Sequence, residues 1–64
     1  MIRLTRINGR PFVLNAEHIK SIEETPDTLI LLLSGEQVLV KEPMDEVVRR
    51  AIDYARSVRV FAPQ

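Results

Sequence analysis

Apolar and polar positions follow three rhythms along this chain. At the start, Ile2 and Leu4 alternate with Arg3 and Thr5, the period of a strand with one wet face. Asn8-Gly9 interrupts, and Arg10-Pro11-Phe12-Val13-Leu14 resumes the extended pattern. Both turn residues tolerate positive φ, so the spacing predicts a type I′ hairpin. Pro11 has no amide hydrogen and belongs at an edge or a bulge. Asn15 then predicts a capped helical turn over Ala16-Glu17-His18. Ile19 and Ile22, three apart, carry that turn into a third strand near Lys20.

The middle of the chain breaks the alternation. Thr25-Pro26-Asp27-Thr28 reads as a turn, with Pro26 fixing φ, and Ser34-Gly35 as another. Between them Leu29 to Leu33 are all aliphatic. A two-residue loop at Ser34-Gly35 sets Leu31 opposite Val38 and Leu29 opposite Val40, with Ile22 beside Leu31. One face then carries Ile22, Leu29, Leu31, Val38 and Val40. The other carries Ile30, Leu32 and Leu39 among Ser21, Glu23 and Gln37. Both faces are partly apolar, and both need cover.

The third rhythm is helical. Met44, Val47, Val48, Ala51, Ile52, Ala55 and Val58 recur at three and four, one amphipathic stripe. Pro43 suits the first turn. Glu42, Asp45 and Glu46 precede Arg49, Arg50 and Arg56, the order a helix dipole favours, and Asp45/Arg49 and Glu46/Arg50 are spaced to pair. The fold class expected is α+β, mainly β: about five antiparallel strands in a small sheet or barrel, then one C-terminal helix. The helical stripe covers one sheet face only. Either the N-terminal hairpin closes a barrel over the second face, or another copy or a partner covers it. Ile30, Leu32 and Leu39 are the contact candidates for that second case.

Composition narrows the function classes. Sixty-four residues make one expected domain, 1–64. A chain this short buries only about 60% of its unfolded surface, which favours a homo-oligomer. It has no cysteine, so no disulfide or thiolate metal site, and the lone His18 builds no zinc site. No apolar run is long enough for a membrane span. Net charge is zero, but residues 1–16 carry Arg3, Arg6 and Arg10, for +3. Residues 17–46 carry eight acids against Lys20 and Lys41, for −6, and residues 47–64 carry four arginines against Asp53, for +3. Such segregation suits docking between complementary surfaces.

Chemistry is sparse. Ser21, Ser34 and Ser57 lack the elbow of a hydrolase serine, and Glu23 and Glu24 point to opposite faces of a strand. Both glycines belong to turns rather than to a phosphate loop. Neither an enzyme nor a cofactor is expected. Nucleic acid is disfavoured too: Phe12, Tyr54 and Phe61 make a poor stacking platform, and the acidic middle opposes phosphate.

Read together, these stretches resemble a family. Leu4, Thr5, Arg6, Ile7, Asn8 and Gly9, then Leu14 and Asn15, then Glu24, Thr25, Pro26, Asp27 and Thr28, then Gly35, stand in the order of the FlbD/SwrD family of small bacterial flagellar proteins. The likeness runs to about Tyr54. Pro43 departs from the family's serine-like cap, and Arg59 to Gln64 from the lysine-rich tail of many members. The resemblance implies a cytoplasmic accessory at the flagellar base that supports motility, swarming and motor power through contacts with motor or stator components. A nucleic-acid-binding regulator of flagellar genes is the alternative. Arg6, Arg3 and Arg10 are the basic contact candidates. Thr5, Asn8, Gly9, Asn15, Thr25, Pro26, Asp27 and Thr28 are the family-pattern positions, most of them readable as turn chemistry.

Overall fold

A computed structural model describes residues 1–60, with side chains to Val58; the tail contrast over Arg59 to Gln64 lies outside the described side chains. Strands β1 (Ile2–Thr5) and β2 (Pro11–Leu14) form a hairpin. A 3₁₀ turn (Ala16–His18) leads into β3 (Ile19–Glu24), β4 (Thr28–Leu32) and β5 (Gln37–Val40), an antiparallel sheet in the order β3-β4-β5. Helix α1 (Met44–Val60) comes last. The expected α+β class, with five antiparallel strands before one helix, is the class observed.

The hairpin neither folds over a sheet face nor stands apart. An antiparallel bridge joins Arg6 to Val40, flanked by Ile7 N donating to the Leu39 carbonyl at 3.1 Å and Lys41 N to that of Thr5 at 2.9 Å. The hairpin thus continues the sheet edgewise, beyond β5. Pro11 fits this joint. Thr5 and Pro11 are a non-hydrogen-bonded pair, so the Thr5 N–H and carbonyl point away from β2, toward Glu42 and Lys41, and a residue without an N–H is tolerated opposite them.

Both glycine turns differ from expectation in the same way. Asn8 does not have positive φ; only Gly9, at +93°, and Gly35, at +94°, do. Gly9 N donates to the Arg6 carbonyl and Arg6 N to that of Arg10, both at 2.8 Å, enclosing a three-residue loop, Ile7-Asn8-Gly9. Gly35 N to Leu32 and Leu32 N to Glu36, both 2.9 Å, enclose Leu33-Ser34-Gly35 identically. Even the side chains correspond: Asn8 Oδ1 accepts from Arg10 N at 3.0 Å, and Ser34 Oγ from Glu36 N at 3.3 Å. This is the three-residue hairpin with a left-handed glycine at its third position, not the two-residue type I′ form.

The extra loop residue changes which face each side chain occupies. The pairs are Ile30 with Val38, Leu29 with Leu39 and Thr28 with Val40, and Ile22 lies opposite Ile30 rather than beside Leu31. A one-residue slip exchanges the two faces of a strand. Ile30, Val38, Val40 and Thr28 therefore point to the core, and Leu29, Leu31 and Leu39 point away. The core gathers Ile2, Leu4 and Leu14 from the hairpin, Ile30, Val38 and Val40 from the sheet, and Val47 from α1. Phe12, Ala16, Ile19, Ile22, Leu32 and Tyr54 pack around it half-buried.

Helix α1 covers this inner face, less completely than its stripe suggested. Val47 is fully buried, but Met44, Val48, Ile52 and Val58 remain exposed. The Pro43 carbonyl accepts from Glu46 N at 3.0 Å and Val47 N at 3.2 Å, starting the helix where a proline costs no donor. Glu46 pairs with Arg50 as the spacing implied, and also with Arg49, which reaches Asp53. Asp45 bonds its neighbour's amide instead of Arg49.

Candidate functional site

Two features stand out: a polar clasp that fixes the hairpin to the helix, and an apolar surface that nothing in the described fold covers.

The clasp is built on Glu42, in the short link between β5 and α1. Glu42 Oε1 accepts from the Thr5 amide at 2.9 Å, and Oε2 from the Thr5 hydroxyl at 2.8 Å. Arg50 lies 3.6 Å from the same carboxylate, donates to Glu46 at 2.7 Å and reaches the Arg3 carbonyl at 2.6 Å. Burial pushes the Glu42 carboxyl up, but the Thr5 amide and hydroxyl and the Arg50 charge outweigh it and hold it below the usual carboxylate range. Hydrogen bonds from Arg49, then Arg50, pull Glu46 down to about 2. Thr5 is thus anchored by residues far along the chain. Neither Glu42 nor Arg50 carries a local sequence signal for this role, because their partners lie 37 and 47 positions away.

The other family-pattern residues mostly hold turns. Asn15 Oδ1 accepts from Glu17 N at 3.0 Å and so caps the 3₁₀ turn as its position implied. Thr25 N donates to the Asp27 carbonyl at 3.1 Å, and the Thr25–Pro26 peptide is cis. Thr28 is buried, with its hydroxyl 3.4 Å from Glu24 Oε2, an atom that also faces the amide of Met44 at 3.4 Å. The loop after β3 is in this way tied to the start of α1.

The basic candidates do not form one patch. Arg3 and Arg10 are exposed, but Arg3 points away from the core between Ile2 and Leu4, while Arg10 flanks the first turn. The Arg6 guanidinium lies over the Phe12 ring, 4.5 Å from its centroid. Arg6 therefore screens an edge of the core as well as carrying charge.

The apolar candidates also divide. Ile30 is fully buried and Leu32 packs half-buried on the core, so neither offers a free surface. Leu39 alone of the three faces outward, 42% exposed. Beside it lie its cross-strand neighbour Leu29, then Leu31, and Ile7, 46% exposed, whose amide binds the Leu39 carbonyl. Leu33, the first residue of the second turn, is 65% exposed. The exposed apolar surface thus keeps Leu39 but joins it to Leu29, Leu31 and Ile7 rather than to Ile30 and Leu32.

This fold and these residues belong to a small motility family. A family model described as "Flagellar and Swarming motility proteins" (FlbD) matches residues 1–59, nearly the whole chain. The chain is a member of the FlbD family. That membership ties it to flagellar motility. No curated protein and no solved structure matches the chain. Among the described residues, no helix is long and apolar enough to cross a membrane.

Proposed function

We propose that the protein is a non-catalytic accessory that binds motor or stator components at the cytoplasmic side of the flagellar base and supports motor power. The outer face of the sheet, Leu29, Leu31, Leu39 and Ile7, is the docking surface. The observation that carries this reading is that Leu39 and Ile7 are exposed next to each other, with half-buried Leu29 and Leu31 beside Leu39 on the face turned away from the core. Lys41, two residues from Leu39 and exposed, supplies charge for orientation. Arg6 is less suited to that task, since its guanidinium is engaged with Phe12.

The test compares cells lacking the protein with cells carrying Leu39→Asp, which places a charge on the outer face without entering the core. Filament number and tethered-cell torque are measured side by side. Normal filaments with low torque are expected in both, and extra stator protein should partly restore movement. Few or no filaments would move the protein to assembly or to gene expression. Normal torque with Leu39→Asp would remove the outer face from the mechanism.

A further inference from the structure

The two hairpin turns share one design and differ in one chemical respect. Both close over three residues, end on a left-handed glycine and hold a backbone amide on the side chain of their middle residue. That middle residue is Ser34 in the second turn and Asn8 in the first. Ser34 shows that a serine meets the needs of this turn, so the carboxamide of Asn8 is an addition to it. It stands beside Gly9, which has no Cβ to hinder its nitrogen. Beyond the chain neighbours of Gly9, no atom lies within 4 Å of where a Cβ would be. Asn8 and Gly9 are both exposed to water.

We propose that Asn8-Gly9 is a site of spontaneous deamidation that the closed hairpin holds in check. In this reaction the Gly9 nitrogen attacks Asn8 Cγ. The N–Cγ bond forms, the Cγ–Nδ2 bond breaks, and Nδ2 leaves as ammonia, taking the Gly9 amide proton. The cyclic imide left behind adds water across either of its C–N bonds to the ring nitrogen, giving aspartate or isoaspartate at position 8. Folding engages both reacting groups. The Gly9 N–H, which must be given up, donates to the Arg6 carbonyl at 2.8 Å, and Asn8 Oδ1 is held on the Arg10 amide at 3.0 Å. Turning the Gly9 nitrogen toward Cγ breaks the first of these bonds and with it the closure of the loop. The chemistry therefore waits on local opening of the turn. Asn15, the other asparagine of the chain, is an internal reference, because the Cβ of Ala16 crowds the nitrogen that follows it. Deamidation adds a negative charge to a chain whose formal net charge is zero. Isoaspartate also adds a backbone carbon inside the loop. The bonds from Arg6 to Arg10 and from Gly9 to Arg6 then cannot close as before, and Ile7, whose amide binds the Leu39 carbonyl, loses its support.

The experiment ages the full chain in mildly alkaline buffer, folded and in guanidinium chloride, and follows it by peptide mapping and by enzymatic methylation of isoaspartate. The unfolded chain should convert faster at Asn8 than at Asn15. The folded chain should convert at Asn8 at least about tenfold more slowly than the unfolded one. Deuterium exchange of the Gly9 amide reads the same opening, so its slowing on folding should match that of deamidation within about threefold. Asn8→Ser should melt with the wild type and show no conversion at position 8. Asn8→Asp carries the new charge on an unaltered backbone, so the isoaspartate fraction of aged protein should melt below it. An unfolded chain that stays intact at Asn8, or converts first at Asn15, overturns the site. Equal rates in folded and unfolded chains overturn the gate, as does a Gly9 amide that exchanges freely while Asn8 stays intact. An isoaspartate fraction that melts with Asn8→Asp overturns the loss of the hairpin.

Discussion

Removing the Glu42 carboxylate tests whether the clasp, rather than strand pairing alone, holds the hairpin in place. In Glu42→Ala the Thr5 amide loses its acceptor, at a cost of about 1–3 kcal/mol for a donor left unpaired in a partly buried site. The Thr5 N–H points away from β2, so no carbonyl of that strand can replace the lost acceptor. The lost hydroxyl bond adds about 1 kcal/mol. Arg50 adds little, because it is one-third exposed and keeps both Glu46 and the Arg3 carbonyl. Water reaches part of the site, which favours the lower half of these ranges, and a total of about 2–3 kcal/mol is expected. A chain of this size has roughly 3–9 kcal/mol of stability in all, so the melting temperature should fall by about 8–24 °C. Thermal and urea melts followed by circular dichroism read this directly. Glu36→Ala serves as the exposed control and should stay within about 0.5 kcal/mol of wild type. A cycle with Thr5→Val should show coupling of about 1 kcal/mol. Acid provides a second reading. The folded Glu42 pKa lies below its ordinary value of 4.5, so its stabilisation is complete above that value and is lost as pH falls through the depressed folded pKa. The gap between wild type and Glu42→Ala should therefore close in acid. If Glu42→Ala melts with the wild type at neutral pH, or the cycle is additive, the clasp contributes nothing and the reasoning fails.

Other substitutions probe the turns and the register. Gly9→Ala and Gly35→Ala should each cost about 1–2 kcal/mol in thermal melts, since no atom crowds a new Cβ and only the left-handed backbone resists it; unchanged melts would contradict the positive φ values. Ile30→Ala should cost about 2–5 kcal/mol and Leu29→Ala clearly less, because only Ile30 is fully buried; the reverse order in urea midpoints would restore the register of a two-residue loop. Asn15→Ala should lose about 0.5–1 kcal/mol with the cap of the 3₁₀ turn, and a neutral melt would mean that water replaces the Asn15 oxygen at the Glu17 amide.

Element type was legible in the sequence because each element declares itself locally. Ile2 and Leu4 alternate with polar neighbours, Asn15 caps the turn beside it, and the α1 stripe recurs at three and four. Faces were not legible, and the cause is a single loop residue. Asn8-Gly9 and Ser34-Gly35 fit two-residue and three-residue hairpins about equally well by composition. The choice between them decides whether Ile30 or Leu29 is inside. A signal was present: Ile7 and Leu33 precede a polar residue and then glycine at the same positions of both turns. Only one reading treats the two turns alike and also brings Ile30, Val38 and Val40 together. The clasp could not be read at all, since a carboxylate at position 42 says nothing about an amide at position 5.

The joint between β1 and β5 also orders events in time. Both hairpins close over three residues, and the helix forms from neighbours, so these pieces can assemble on roughly the microsecond scale. The bridge from Arg6 to Val40 and the bonds from Thr5 to Glu42 join remote parts of the chain and must wait for an encounter between preformed pieces. The entropy of closing that long loop is lost before the contacts beyond it reward the chain. The barrier to folding is therefore expected at this joint. Much of the loss in Glu42→Ala should appear as a slower folding arm in a chevron plot, whereas a loss confined to the unfolding arm would place the joint after the barrier. On this ordering the β1/β2 hairpin, the β3-β4-β5 meander and the helix form first, and their fastening at residues 5, 6, 40 and 42 comes last.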